Sequence, residues 1–147
     1  MSRAWEVVVL SIGGMLGVNA RYGLATSMSG WAGDRFPWAT FAINVSGSFA
    51  IGLIATILAR WYPAHPARLF LLVGFLGGFT TFSSFAFEAQ VLCERGQAGR
   101  ALAYVGGSVA LGLAAVVLGV ALGRGIVGPE VPPVVLAAAE DVRGISE

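Results

Sequence analysis

The sequence predicts an all-α integral membrane protein with four transmembrane helices, and three observations predict it. Of the 147 residues, 56% are hydrophobic and 12% are charged, and the mean hydropathy is +0.79; a water-soluble domain carries about 25% charged residues. Four apolar stretches are each long enough to cross a hydrocarbon core of about 30 Å, which takes about 20 residues at about 1.5 Å each. Amphipathic rings prefer the headgroup level, and Trp5, Trp31, Trp38, Trp61 and Tyr62 all stand at the ends of these stretches.

The first span is placed at 5–26. Its Val18-Asn19-Ala20 would pass as a small-x-small cleavage site, but Arg3 is offset by Glu6 at the charged start and three more spans follow, so the stretch is read as a retained helix. Arg21, near its end, has two readings: a vestibule charge that concentrates anions, or an anchor that snorkels to the interface. The second span, 38–59, carries Asn44, Ser46 and Ser48, with Asn44 and Ser48 one helical turn apart. A buried Asn in lipid needs partners, and it either bonds a neighbouring helix or offers its N–H donors to a ligand.

The third span, 69–93, contains the run Gly77-Gly78-Phe79-Thr80-Thr81-Phe82-Ser83-Ser84-Phe85. Paired Gly and paired Thr are poor helix formers, so the helix is predicted to break near the bilayer midplane. Freed carbonyls at membrane depth must line a cavity, be buried in protein or hold an ion; a kink healed by the Thr hydroxyls is the other reading. Phe79, Phe82 and Phe85 form a slanted stripe interleaved with Thr81, Ser83 and Ser84. Hydroxyl donors beside electropositive ring edges suit an anion. In the fourth span, 101–123, Tyr104 and Ser108 again stand one turn apart.

Short connectors at 30–37, 60–68 and 94–100 make neighbouring spans antiparallel. Small residues recur four apart at Gly13 and Gly17, Ser48 and Gly52, Gly74 and Gly78, and Gly119 and Gly123, a spacing that lets helix backbones approach closely. The chain thus divides into a transmembrane domain, 1–123, and a Pro-rich, then polar tail, 124–147, read as flexible.

Composition also excludes. All nine basic residues are Arg, leaving no Lys for a phosphate loop or a Schiff base. Cys93 and His65 each stand alone, so neither a disulfide within the chain nor a His/Cys metal site is expected. A net charge of +1 without a basic run offers nothing to nucleic acid. No Asp, Glu, Lys or Arg falls at the centre of a span; Glu88 lies roughly 12 Å beyond the break. A proton-coupled exporter needs a titrating group on its path, so passive permeation is the expectation and an enzyme is not.

Orientation is balanced. Arg3, Arg60, Arg68, Arg124 and Arg143 fall on one side, and Arg21, Arg35, Arg95 and Arg100 on the other. The positive-inside rule then has little to act on, which leaves two readings: insertion in both orientations, with inverted copies associating as an antiparallel dimer, or a single orientation set by other features.

The run from Gly77 to Phe85, with Gly17 and Arg21, Asn44 and Gly47, and Tyr104 and Ser108, resembles the Fluc/CrcB family of fluoride channels over residues 10–112. The resemblance implies a dual-topology antiparallel homodimer, multi-pass in the cell inner membrane, that exports fluoride passively through two narrow pores. It implies a structural Na⁺ at the dimer centre, held by the backbone carbonyls of Gly77 and Thr80. It places Phe82 and Phe85 on the pore walls and Asn44, Thr81, Ser83, Ser84, Tyr104 and Ser108 along the anion path. Two positions depart from the pattern. Ser84 stands where Thr is more frequent, keeping the hydroxyl. Gly112 stands where many members continue a hydroxyl track, leaving water or Thr81 to substitute. The competing assignment, a proton-coupled exporter of the small multidrug resistance type, calls for a carboxylate within the first span, where only Glu6 at its edge is available.

Overall fold

The computed structural model describes residues 2–28, 36–62 and 66–128. Expectations for Trp31, Arg35, His65 and Arg143, and for the tail beyond Gly128, lie outside the described residues. Among the described residues, four spans are helical and apolar enough to cross a membrane: Arg3–Met28, Trp38–Trp61, Pro66–Glu94 and Ala98–Val127. We name them α1 (Arg3–Met28), α2 (Trp38–Trp61), α3 (66–79), α4 (Phe82–Glu94) and α5 (Ala98–Val127), with α3 and α4 sharing the third span.

Each helix overruns its predicted apolar core, because in lipid the backbone has no solvent to bond and stays helical until a residue forces it to stop. Such residues are visible at two ends. Gly128 closes α5 at φ +88°, and Gly96 closes α4 at φ +71°, a region that favours glycine. After Gly96, the Gln97 amide bonds back to the Leu92 carbonyl at 2.9 Å. That is a helix stop that reverses the chain into α5.

The third span is the irregular one. Residues Leu69–Leu76 are wound as a π-helix and Gly77–Phe79 return to α. Thr80 (φ −83°, ψ 158°) and Thr81 (φ −151°, ψ 119°) are then extended, and α4 starts at Phe82. Gly77 and Gly78 each weaken a helix by about 1 kcal/mol relative to Ala, and the β-branched threonines favour extended backbone.

Two glycine seams hold the bundle. α2 runs along α5, and α1 runs along α3. On the first seam, a Cβ on Gly119 would strike the Phe49 carbonyl, and one on Gly52 the Val116 carbonyl. On the second, a Cβ on Gly13 would stand 2.6 Å from the Phe70 carbonyl and one on Gly78 2.6 Å from that of Gly14. These are backbone-to-backbone contacts that no side chain can share. At one end a small aromatic core gathers Phe85, Leu92, Ala101 and Tyr104, with Phe36 and Phe41 against it.

Most of the remaining apolar surface faces outward, including Leu102, Leu113, Val117 and Leu118. An apolar exterior of that extent belongs against hydrocarbon or another chain. The protein is therefore a multi-pass, all-α membrane protein.

Candidate functional site

The interruption between α3 and α4 is built by three side chains. Thr81 caps α4, its Oγ1 accepting from the Ser84 amide at 3.3 Å, as an N-cap hydroxyl does at the third residue of a helix. Asn44, from the second turn of α2, grips the same residue twice. Its Oδ1 accepts from the Thr81 amide at 2.9 Å and its Nδ2 donates to the Thr81 carbonyl at 3.0 Å. Thr80 turns back on α3, its amide bonding the Leu76 carbonyl at 3.0 Å and its Oγ1 donating to that carbonyl at 2.9 Å.

The consequence falls on two carbonyls. In an unbroken helix the Thr81 amide would bond the carbonyl of Gly77, and the Ser84 amide that of Thr80. Both amides are diverted, one to Asn44 and the other to the Thr81 hydroxyl. Gly77 and Thr80 thus lose their helical donors, and Thr80 is extended, so its carbonyl leaves the helix direction. Two carbonyl oxygens released within one turn are hard donors of the kind an alkali or alkaline-earth cation takes. Among the described residues no group of three or more His, Cys, Asp or Glu side chains gathers to hold a metal.

Beside the interruption opens a groove of about 400 Å³. Its polar wall is Asn44, Ser48, Thr80, Thr81 and Ser108; its aromatic wall is Phe82 and Phe85; aliphatic residues of α2, α3 and α5 complete it. Among the described residues, no ionisable side chain lines it. Gly47 lets α2 come this close, since a Cβ there would overlap the Thr80 methyl. The two phenylalanines differ: their ring centroids are 5.6 Å apart, yet Phe85 is 9% exposed and Phe82 79%. Phe85 is packed inside the protomer, while Phe82 stands at its outer edge.

The family model for "CrcB-like protein, Camphor Resistance (CrcB)" matches residues 8–120, a stretch that holds the whole groove. The chain belongs to the CrcB family. Relatives named "Fluoride-specific ion channel FluC" align over nearly their entire length. The protein of Rhodospirillum centenum is 46% identical over 119 residues, which is 80% of this chain and 94% of that one. That of Thermus thermophilus is 46% identical over 121 residues, 82% and 97%. That of Paracoccus denitrificans is 48% identical over 117 residues, 80% and 93%.

The remaining site residues of this CrcB chain fall in different places. Ser83 and Ser84 sit at the start of α4, their hydroxyls 3.3 and 3.1 Å from Thr81 Oγ1, and neither lines the groove. Arg21 is half-buried towards the end of α1 and is also away from the groove wall. Tyr104 is fully buried in the aromatic core, its ring 5.2 Å from that of Phe85. Its hydroxyl donates to Glu88 Oε2 at 2.7 Å, while Thr40 donates to Glu88 Oε1 at 2.8 Å.

This Thr40–Glu88–Tyr104 triplet is what the reading by position along the span missed. Glu88 looked peripheral because it lies far from the break. A signal was present, however: Thr81, Phe85 and Glu88 succeed one another at four and three residues, and hence share one face of α4.

Proposed function

We propose that this chain is a fluoride-selective channel and not an enzyme, carrying fluoride passively out of the cell across the inner membrane. The observation that carries the reading is the groove: neutral hydrogen-bond donors opposite phenylalanine rings, beside an interrupted helix, with no ionisable group on the wall among the described residues. Fluoride is small and strongly hydrated, so a pore must replace its water with donors. A fixed cation in the path would hold the ion too tightly to release it, and conduction asks for several weak sites. The relatives' name, fluoride-specific ion channel, agrees with this chemistry, and no observation favours a proton-coupled multidrug exporter.

The working form in this proposal is an antiparallel homodimer of dual topology, with the breaks of both copies at the membrane midplane. Two features support it. The Arg residues divide almost evenly between the two sides, and the groove lies open where Phe82 projects from the protomer, so a second copy would close it. Gly77 and Thr80 would hold a structural Na⁺ by the carbonyls released at the interruption. Such an ion would supply a fixed positive charge balancing carbonyl dipoles that have lost their helical donors. Asn44 and the Thr81 hydroxyl then act as the clamp that keeps those carbonyls released.

Fluoride efflux from liposomes holding the purified protein, followed with an ion-selective electrode, tests the function. Release well above empty vesicles, with chloride retained, is expected. No release, or chloride leaving as fast, would overturn it.

A further inference from the structure

We infer that Ser48 is a contact residue for the permeating anion, its hydroxyl standing in front of bare backbone at Gly112 and forming with Ser108 two successive donor stations in the groove. The inference rests on the channel reading and adds a residue to it.

The availability of donors decides which residues can serve. Five polar side chains line the groove, and three are engaged by the chain itself: Asn44 with the Thr81 peptide group, Thr80 with the Leu76 carbonyl, and Thr81 with Ser84. The other two are Ser48 and Ser108. Ser108 Oγ is buried and has no hydrogen-bond partner, and among the described residues no hydrogen bond engages Ser48 Oγ. A buried hydroxyl without a partner costs about 1–3 kcal/mol, so a groove that keeps one has a use for it.

Position then ties the pair together. A Cβ built on Gly112 meets a single atom within 4 Å, Ser48 Oγ at 3.5 Å. The Ser48 hydroxyl thus stands, from α2, in van der Waals contact with the place where a side chain from α5 would begin. Gly112 is one turn beyond Ser108 on α5, and side chains four apart are about 5–6 Å from one another. Ser48 Oγ thus stands beside the α5 position one turn beyond Ser108, and both serines line the groove. Each can rotate to aim its O–H at an anion, and a bond to an ionised acceptor is about twice as strong as a neutral one.

Fluoride efflux from liposomes, on the full chain, separates the possibilities. Ser48→Ala is expected to slow efflux about tenfold or more, the factor that accompanies loss of one charge-assisted hydrogen bond, while the protein still elutes as a single species. Adding Gly112→Ser to Ser48→Ala should restore most of the rate, because a hydroxyl then reaches the same place from α5. Adding Gly112→Ala should not. If Ser48→Ala does not elute cleanly, Ser48→Cys keeps the volume with a weak donor and is expected to slow efflux likewise. A wild-type protein that conducts beside a Ser48 variant that conducts equally well overturns the inference and leaves the channel standing. So does equal recovery with Gly112→Ala, or no recovery with Gly112→Ser. A wild-type protein that releases no fluoride overturns the channel reading itself.

Discussion

The seam between α2 and α5 and the junction between α3 and α4 solve opposite problems with similar residues. On the seam, glycines remove side chains so that two continuous helices touch backbone to backbone, and every peptide group keeps its own helical partner. At the junction, Gly77 and Gly78 precede a pair of threonines, the ladder is cut, and side chains from α2 and α4 replace the lost partners. The seam is rigid because nothing can move into it. The junction leaves two carbonyls and a groove free for a ligand, because Asn44 and Thr81 satisfy only part of what the cut released. Glycine in a membrane helix therefore carries no fixed meaning; its neighbours decide whether it seals a contact or opens a site.

The largest effect should come from filling the seam. A Cβ at Gly119 strikes backbone atoms of Phe49 and Leu53, which cannot rotate away. Gly119→Val is expected to abolish recovery of monodisperse protein from detergent, an overpacking cost at or above the usual range of about 1–3 kcal/mol. Gly99→Ala, where a Cβ meets nothing within 4 Å, should leave elution and thermal unfolding unchanged. A well-folded Gly119→Val protein would break the comparison, since the seam would then be as adaptable as the junction.

Next in size is the junction's clamp. Asn44→Asp keeps an oxygen for the Thr81 amide but turns the Nδ2 donor into a second oxygen facing the Thr81 carbonyl. Loss of one bond and repulsion between two acceptors should lower stability by about 1–3 kcal/mol, read as a drop in unfolding temperature. The new negative charge beside the groove should also suppress fluoride efflux to near the level of empty vesicles. Normal efflux with normal stability would show that the groove does not depend on how Thr81 is held.

These contrasts also mark how much was legible in the residues alone. The four spans were plain because a bilayer demands long apolar runs, and the glycine pairs of both seams stood at the right spacing. The run from Gly77 to Thr81 announced poor helix, and Asn44 announced a polar group needing partners. What could not be read was the pairing. That Asn44 reaches Thr81, 37 positions along the chain, depends on how α2 crosses the third span. The same holds for Glu88, which looked like an interfacial carboxylate until α2 and α5 brought Thr40 and Tyr104 to it. Whether a serine is free or engaged is likewise a property of the packed bundle, and it separates Ser48 and Ser108 from the threonines beside them.

The Glu88 triplet ranks below the clamp because its loss is expected to lower stability without suppressing efflux. Glu88→Ala leaves the Tyr104 hydroxyl fully buried without its acceptor, a cost of about 1–3 kcal/mol. Glu88→Gln keeps one acceptor oxygen and places an amide donor by the other hydroxyl, which can accept. A fall in unfolding temperature is expected for Glu88→Ala, and half of it or less for Glu88→Gln. Equal losses would mean that the charge matters to the fold more than the hydrogen bonds do.

The smallest effect should come from Tyr104→Phe, and it discriminates most sharply between the two polar clusters. The substitution keeps the ring against Phe85 and Phe36, 5.2 and 5.3 Å away between centroids, and removes only the hydroxyl that donates to Glu88. Stability should fall by about 1 kcal/mol, the net worth of one hydrogen bond. Efflux should stay within about twofold of wild type, because a donor already engaged by a carboxylate adds nothing for a passing anion unless Glu88 lets go. Should Tyr104→Phe instead slow efflux as much as Ser48→Ala does, the carboxylate must release the phenol during conduction. Glu88 would then belong to the path, and the division between a structural cluster and a conducting groove would have to be redrawn.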